Sequence, residues 1–260
     1  MQRQLLKNLL QLLALLLLPA CTPRPREAPL VWQTALPGLE YALATVPTGQ
    51  DAQPVTIHLI RLVPRQWQLR VVTPAQMGKP LGSPSDFRAT LPHSVAAINA
   101  GFFDPDFKPL GLLVDNGQQI SPLRHVDHGV FAIVAGQPVL RHAREWQKPE
   151  ALEFAVECGP RLVVEGQPLT FKPGTARRTV LARDGQGRVL LVVTEGVMGL
   201  ADLAKFLTQR QYQGGPAVTD ALNLDGGPST MLELEAGKLR ARVATPVQVP
   251  VGIVVTPRQQ

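Results

Sequence analysis

Short runs of alternating apolar and polar residues cover much of this chain, and turn residues separate them. The alternation over residues 55–59 and 67–72 is typical of strands with one buried face. Short apolar runs predict six further strands, at residues 94–99, 112–115, 130–134, 161–164, 179–182 and 189–193. Gly-Gln, Asp-Gly and Gly-Gln-Gly turns between several of these runs indicate hairpins.

Helical periodicity is limited to two places. Apolar residues recur at i, i+3, i+4 and i+7 from Leu200 onward, which predicts a helix over residues 199–212. Ser85 is a candidate N-cap for a shorter helix over residues 85–91. Because strands greatly outnumber helices, the pattern predicts an α+β fold, with one domain of mixed or antiparallel β-sheets and a few packed helices.

The N-terminal segment has the pattern of an export signal. Arg3 and Lys7 precede an apolar run that is about half of the roughly 20 residues needed to cross a bilayer. Residues 18–21 (LPAC) resemble the bacterial lipobox, in which the cysteine becomes lipidated and forms the new N-terminus. The sequence therefore predicts a lipoprotein-type signal peptide at 1–20 and lipidation of Cys21, with ordinary cleavage as the alternative.

A short proline-rich stretch follows the signal. Residues 21–35 are interpreted as an extended tether, and residues 36–260 as a single domain of about 220 residues. A lipidated Cys21 would hold the protein at a membrane surface. By resemblance to bacterial lipoproteins, Thr22 favours the outer membrane of a Gram-negative cell. The predicted location is thus the cell envelope, after export.

Composition and charge narrow the classes of partner. The chain is 45% hydrophobic, which supports a packed core, and only 5% aromatic, which disfavours a base-stacking surface. Loss of residues 1–20 lowers the formal charge from +6 to +4, a mild excess that suits anionic envelope polymers. The arginines are scattered rather than clustered, so no nucleic-acid partner is predicted. Acylation of Cys21 would leave Cys158 as the only thiol; otherwise a bond between the two is conceivable.

Two segments place polar residues at the ends or beginnings of predicted strands. Residues 97–104 (AINAGFFD) end an apolar strand on Asn99, whose amide both donates and accepts, as a sugar hydroxyl requires. Residues 176–180 open a strand with Arg177 and Arg178, and a guanidinium can bind phosphate with two parallel bonds. Each segment has an ordinary alternative, a plain turn or a solvated arginine pair.

A third segment brings a carboxylate to a glycine turn. Residues 221–231 (ALNLDGGPSTM) lead from an apolar strand to Asp225, two glycines and two hydroxyls. Such a turn can direct backbone N–H groups at an anion. Asp225 could act as a nucleophile, a general base or an orienting group. The alternative is an ordinary Asp-Gly hairpin turn.

Taken in order, these segments resemble the phosphodiester glycosidase family, which includes bacterial envelope proteins. The resemblance runs from about residue 39 to residue 256. It rests on the series AINAGFF, FAIVAGQPVL, CGPRLVVEGQPL, ARRTVLARDGQGRVLLVVTEG, GLADLAKFL and ALNLDGGPSTM. It implies a hydrolase that cleaves the bond between a sugar anomeric carbon and a phosphodiester.

The resemblance also implies roles for individual residues. It makes Asp225 the principal catalytic carboxylate and Glu195 the second, with Asn99 and Arg178 beside them and Arg178 holding the phosphate. Further residues would bind substrate or shape its site, namely Gly101, Phe102, Thr179, Gly226, Gly227, Ser229 and Thr230. Pro228 replaces the glycine usual in the family. This difference is expected to affect which substrate is used more than it affects the fold. No cofactor is predicted, and a requirement for a divalent metal is left open.

The expected chemistry agrees with this assignment. Glycosidic cleavage generally uses two carboxyl groups, but a phosphodiester leaves as a stable anion and needs little protonation. One carboxylate with Arg178 and backbone donors can therefore suffice. The first alternative is a non-catalytic lipoprotein that binds glycan or peptidoglycan in the same cleft, and the second is an accessory in exopolysaccharide assembly. The sugar, aglycone, stereochemical outcome and oligomeric state are not determined by the sequence.

Three weaker signals receive structural interpretations. The spacing in residues 125–128 (HVDH) matches no helical ligand pair and is interpreted as a polar loop. Glu157 is either a site residue or a surface carboxylate at a strand end. Cys158 has no accompanying histidine and asparagine pattern, so it is interpreted as a buried structural cysteine.

Overall fold

Antiparallel pairing connects all neighbouring strands in residues 28–48 and 53–258, the part of the chain that the computed structural model describes. The result is one mostly β domain with a few packed helices, which confirms the predicted α+β class at that level. Each of the eight predicted strands overlaps an observed one.

The largest sheet has eight strands. In spatial order they are β1 (Gln33–Leu36), β2 (Leu39–Thr48), β3 (Gln53–Leu62), β15 (Val189–Thr194), β14 (Thr179–Asp184), β17 (Val218–Asn223), β11 (Arg161–Val164) and β12 (Gln167–Pro168). Side chains alternate across it, because successive residues of a strand point to opposite faces. Leu181 and Leu222 face the main core, whereas Val180 and Ala221 belong to a second core on the other face.

Two five-stranded sheets complete the main core, which also draws residues from the largest sheet. One contains β19 (Leu239–Val243), β18 (Leu232–Ala236), β5 (Ala96–Asn99), β20 (Gly252–Pro257) and β4 (Trp67–Val72). The other contains β7 (Gln118–Ser121), β6 (Leu113–Asp115), β10 (Leu152–Cys158), β8 (Gly129–Val134) and β9 (Gln137–His142). A two-stranded sheet pairs β13 (Thr175–Ala176) with β16 (Met198–Gly199). This arrangement brings the end of β5 against β14 and β17.

Helices are short. The α-helices of the described part are α1 (Pro74–Met77), α2 (Pro84–Thr90) and α3 (Leu200–Thr208), and single 3₁₀ turns occur at Ala143–Glu145, Gln211–Gln213 and Gly227–Ser229. The predicted helix 199–212 therefore ends early, because Gln209 leaves the helical conformation with a ψ of 140°. The predicted cap Ser85 is also wrong. Ser83 caps α2, with Pro84 at the first helical position, where its missing N–H has no intrahelical partner to lose.

The folded part begins before residue 36. Leu30 is buried, its N–H donates to the Gln211 carbonyl at 3.0 Å, and β1 pairs with β2. Residues 30–35, which the sequence assigned to the tether, thus pack on the domain. The predicted signal peptide and the lipidation site Cys21 lie outside the described residues. In the part that is described, no helix is long and apolar enough to cross a membrane.

Candidate functional site

Asn99 joins the end of β5 to the largest sheet. Its Oδ1 accepts hydrogen bonds from Thr179 Oγ1 at 2.7 Å and from the Met231 N–H at 3.3 Å. Its Nδ2 donates to the carbonyl oxygens of Asp225 at 2.7 Å and Ala100 at 3.2 Å. The side chain is buried and fully hydrogen-bonded, as buried amides usually are. Asn99 therefore holds Asp225 by its backbone and has no amide group left over for a sugar hydroxyl.

Asp225 is a partly buried carboxylate just beyond the end of β17. Its N–H donates to the Ala100 carbonyl at 3.3 Å, and its Oδ1 accepts from the Gly226 N–H at 2.9 Å. Burial raises the pKa of Asp225 above its ordinary value, and hydrogen bonds from Ser229 and from the Gly226 N–H oppose that shift. A partly buried carboxyl group with a raised pKa is typical of groups that transfer protons.

Glycine is required where the turn after Asp225 meets the start of β14. A Cβ at Gly226 would lie 2.8 Å from the Arg177 carbonyl oxygen and 4.0 Å from Arg178 Nη1. Gly227 has a φ of 59°, which favours glycine. The two glycines thus let the turn after Asp225 pack directly against the backbone at the start of β14.

The N–H groups of this turn are occupied within the protein. Gly226 donates to Asp225, and Gly227 donates to the Arg177 carbonyl at 2.8 Å. Ser229 and Thr230 donate to the carbonyls of the two glycines at 3.2 Å each, and proline at 228 has no N–H. The backbone anion site that the sequence suggested is therefore not open. An anion here needs side-chain donors.

Arg178 offers one such donor. Its Nε donates to the Met198 carbonyl at 3.0 Å and its Nη2 to the Gly174 carbonyl at 3.3 Å, which fix the plane of the guanidinium. Among the described residues Nη1 has no hydrogen-bond partner. Burial lowers the pKa of Arg178 from its usual value, and the absence of a described carboxylate partner leaves its charge available to a ligand.

Glu195 lies at the same edge of the sheet but in separate contacts. Its Oε1 is 2.7 Å from Nε2 of the buried His58, and His58 Nδ1 is 2.8 Å from the hydroxyl of the buried Tyr41. Burial, with the Glu195 charge, raises the pKa of Tyr41 to about 12. Tyr41 therefore keeps its proton, and because a carboxylate oxygen accepts, His58 donates through Nε2 to Glu195. The carboxylate of Glu195 is half exposed.

Asp225 and Glu195 are separated by β14. Asp225 follows β17 and Glu195 follows β15, so two strand spacings put their backbones about 10 Å apart. No hydrogen bond or ion pair of the described chain joins Glu195 to Asn99, Arg178 or Asp225. The structure thus brings together Asn99, Arg178, Thr179, Asp225, Gly226, Gly227, Ser229 and Thr230, and leaves Glu195 beside this group.

Gly101 and Phe102 lead from Asn99 to a pair that the sequence did not single out. A Cβ at Gly101 would lie 3.0 Å from the Glu157 carbonyl oxygen, and the Phe102 ring lies 5.8 Å from the His128 ring. Glu157 is 1% exposed, so its interpretation as a surface carboxylate is wrong. The available signal was its position inside the buried strand β10, where a carboxylate needs a partner.

Buried polar atoms without partners are concentrated in this region. Six such side-chain atoms occur in the described part of the chain, and the residues of five adjoin the Asn99–Asp225 group: Arg177 Nε, Thr230 Oγ1, Asn223 Oδ1, His128 Nδ1 and Glu157 Oε1. Buried polar groups are normally hydrogen-bonded to protein or water. These atoms offer hydrogen-bonding groups that the described part of the protein does not use.

Two of the weaker signals are accounted for. Burial raises the pKa of Cys158 to about 12, so the thiol stays protonated and serves as packing, as interpreted. Asp127 binds His142 Nε2 at 2.9 Å, and His128 faces Glu157 instead. Within residues 28–48 and 53–258, no group of three or more His, Cys, Asp or Glu side chains is placed to hold a metal ion.

The comparisons with known proteins agree with this fold. The sequence profile of the phosphodiester glycosidases matches residues 92–256, more than half of the chain. The chain belongs to the phosphodiester glycosidase family, whose members are hydrolases. A comparison with curated proteins gives no match.

Two solved structures are similar over most of the chain. One is the catalytic domain of zebrafish N-acetylglucosamine-1-phosphodiester alpha-N-acetylglucosaminidase, auto-inhibited by its pro-peptide. It has a TM-score of 0.66 and 18% identity, and the match covers 90% of this chain and 87% of that one. The other is a hypothetical protein from Synechocystis, with a TM-score of 0.60, 16% identity and coverage of 88% and 64%. At these identities the likeness concerns the fold.

Proposed function

We propose that this protein hydrolyses a sugar phosphodiester, or a related glycosyl-phosphate bond of an envelope glycan. The observation that carries the proposal is Asp225, a carboxylate with a raised pKa whose backbone Asn99 holds and whose following turn packs against β14 at Arg177 and Arg178. Membership of a family of phosphodiester glycosidases supports the same reaction.

In this proposal Asp225 is the principal carboxylate and Arg178 binds the phosphate through Nη1. The bond between the anomeric carbon and the phosphate oxygen breaks, and the phosphate keeps the bonding electrons. Water adds a hydroxyl group to the carbon and releases one proton. Because the phosphate leaves as a stable anion, electrostatic stabilisation by Arg178 replaces much of the work of a general acid.

Glu195 is proposed as the second carboxylate. The hydrogen bond from His58 holds Oε1, which leaves Oε2 to accept a proton. The strand spacing between Glu195 and Asp225 leaves room for a water molecule between their carboxyl groups. These observations support a role for Glu195 in activating or orienting that water.

The substrate contacts are proposed from the same geometry. Thr179 and Ser229 have hydroxyls committed to Asn99 and Asp225, so they hold the site in shape. Thr230 Oγ1 has no protein partner and is the hydroxyl left for a ligand. Gly226 and Gly227 have no side chains that would keep the substrate away from the turn. Gly101 and Phe102 form the wall of the site towards His128.

Pro228 does not disturb the turn. It is exposed and is the second residue of the 3₁₀ turn Gly227–Ser229, a position whose N–H has no required partner. Its carbonyl oxygen accepts a hydrogen bond from Thr245 Oγ1 at 2.5 Å. Proline at this position therefore stiffens the turn without removing a protein hydrogen bond.

The protein is further proposed to act in the cell envelope, after export and lipidation at Cys21. The pattern of residues 1–21 supports this location, with the outer membrane or periplasm expected in a Gram-negative cell. Palmitate labelling of the full chain in a bacterial host is expected to mark the protein and to be lost in Cys21→Ser. Equal labelling of Cys21→Ser and of the wild type would exclude Cys21 as the anchor.

The proposed reaction is tested on two substrates with the mature wild-type protein. UDP-N-acetylglucosamine is expected to yield free sugar and UDP, and a teichoic-acid-like glycosyl-phosphate polymer to yield free reducing sugar ends. Both are measured by reducing-sugar and phosphorus NMR assays. Retained glycan binding with no product from either substrate would instead support the binding lipoprotein.

A further inference from the structure

Glu157 is a buried carboxylate with one oxygen unused. Its side chain is 0% exposed, and its Oε2 accepts the N–H groups of Leu112 at 2.8 Å and Arg124 at 2.9 Å. Its Oε1 is buried and has no hydrogen-bond partner. Two backbone donors suit an ionised carboxylate, and a buried charge of this kind needs a counter-charge.

His128 is placed to supply it. Its Nδ1 lies 3.6 Å from Glu157 Oε1, and Nδ1 is itself buried without a hydrogen-bond partner. No other basic side chain of the described ranges lies within 4.0 Å of this carboxylate. A proton on Nδ1 satisfies both atoms after a shift of a few tenths of an ångström. The ring remains 24% exposed although Nδ1 is buried, so another edge of the ring reaches solvent.

Glycines leave the space that this pair occupies. A Cβ at Gly159 would lie 2.8 Å from His128 Cδ2, and a Cβ at Gly111 would lie 3.0 Å from the Glu157 carboxylate. Gly111 also has a φ of 115°, a conformation that other residues rarely adopt. Substitution of either glycine would push the pair apart, so the local backbone is adapted to hold it.

The pair adjoins the proposed catalytic group. Asn223 Nδ2 donates to the Gly159 carbonyl at 3.0 Å, and Asn223 precedes Asp225 by two residues. The charge of Asp225 acts on the thiol of Cys158, the residue between Glu157 and Gly159. His128 packs on Gly159 and Phe102 and therefore lies on the Phe102 side of the segments that hold Asp225.

We propose that His128, held by the buried Glu157 carboxylate, binds an anionic oxygen of the substrate next to Asp225. The identity of that anion, a phosphate or a sugar carboxylate, rests on the proposed function. An anion bound at Nε2 favours the imidazole ring of His128 with a proton on both nitrogens. The negative charge of Glu157 then balances the positive charge of that ring. Because the N–H groups of the turn after Asp225 are occupied, His128 and Arg178 are the two side chains that take this role.

The test measures anion binding without any turnover. Inorganic phosphate is titrated at constant pH into ¹⁵N-histidine-labelled mature protein, and the imidazole signals of His128 are followed by NMR. We expect a saturable shift in the wild type, and phosphate affinity about tenfold weaker in His128→Asn and in Glu157→Gln, the size of one lost charge-assisted contact. The control His125→Asn changes an exposed histidine three residues away and is expected to bind phosphate as the wild type does. A parallel titration with glucuronate shows whether carboxylates share the site.

The outcomes separate this proposal from the proposed reaction. Phosphate affinity unchanged in His128→Asn overturns the proposal, even if the wild type hydrolyses sugar phosphodiesters. Phosphate binding that depends on His128 supports it, even if no substrate is hydrolysed and the reaction itself has to be abandoned. Should Glu157→Gln fail to fold, His128→Asn alone decides the test, because His128 is the partly exposed member of the pair.

Discussion

Asp225→Asn is expected to lower kcat/KM for sugar phosphodiester hydrolysis by about 1,000-fold, the usual size of the effect when a catalytic carboxylate is replaced. The amide is nearly isosteric and can still accept from the Gly226 N–H, but it can neither attack carbon nor take a proton. Initial rates with UDP-N-acetylglucosamine measure the change. The matched control is Asp106→Asn, which neutralises a carboxylate that is 78% exposed and is expected to leave the rate unchanged.

The same substitution should not destabilise the fold at neutral pH. Burial raises the pKa of Asp225 in the folded protein, so the folded state binds this proton more tightly than the unfolded state does. The resulting stabilisation of the folded protein is complete at pH values below the pKa of Asp225 in the unfolded chain, about 3.9. It is lost as the pH rises through the pKa of Asp225 in the folded protein. At pH 7 the charged carboxylate therefore opposes folding, and the Tm of Asp225→Asn should equal or exceed that of the wild type. Wild-type turnover by this variant, or a lowered Tm at pH 7, would contradict the role assigned to Asp225.

Asn99→Ala is expected to lower the free energy of unfolding by about 3 kcal/mol, because it leaves several buried groups without partners at about 1–3 kcal/mol each. The groups affected are Thr179 Oγ1, the Met231 N–H and the Asp225 carbonyl oxygen. Urea unfolding followed by circular dichroism measures the loss. The exposed Gln118→Ala should change stability by less than about 0.5 kcal/mol.

The kinetic effect of Asn99 substitutions separates positioning from substrate binding. Since the Asn99 amide is committed to protein groups, its loss should displace Asp225 and lower kcat about 100-fold, the cost of a displacement near 1 Å, with a smaller change in KM. Asn99→Asp keeps the acceptor oxygen for Thr179 but cannot donate to the Asp225 carbonyl, so it should not restore the rate. A change confined to KM would mean that Asn99 contacts the substrate after all.

The positions of the strands and the family were largely predictable from the sequence. Alternation identified two of the eight predicted strands, and short apolar runs between turn residues identified the others, including β14 and β15, because both patterns are visible over a few residues. The run of motifs from residue 97 to residue 231 identified the family, and Asp225 was visible as a carboxylate at the end of an apolar strand. The N-cap of α2 was misplaced by two residues because Ser83 and Ser85 both have capping side chains, and Pro84 determined which one is used.

The contacts of the site depended on the tertiary structure. Asn99 appeared to be free for a ligand, but the packing of β5 against β14 and β17 uses its whole amide. The Gly226–Gly227 turn appeared to be an open anion site until the positions of its carbonyl acceptors were known. Both errors have the same origin, since a residue type states which hydrogen bonds it can make and not which of them the fold already uses.

The sequence by itself thus determined most strands and the family, and it offered Asp225 as the candidate principal carboxylate, because each of these is recorded in neighbouring residues. Only the tertiary structure decided that Glu195 is held by His58, 137 residues away, and that Glu157 faces His128 across adjacent strands. Such pairs arise from the order in which strands assemble into sheets. That order follows from the burial of apolar faces summed over the whole chain, which no local pattern records.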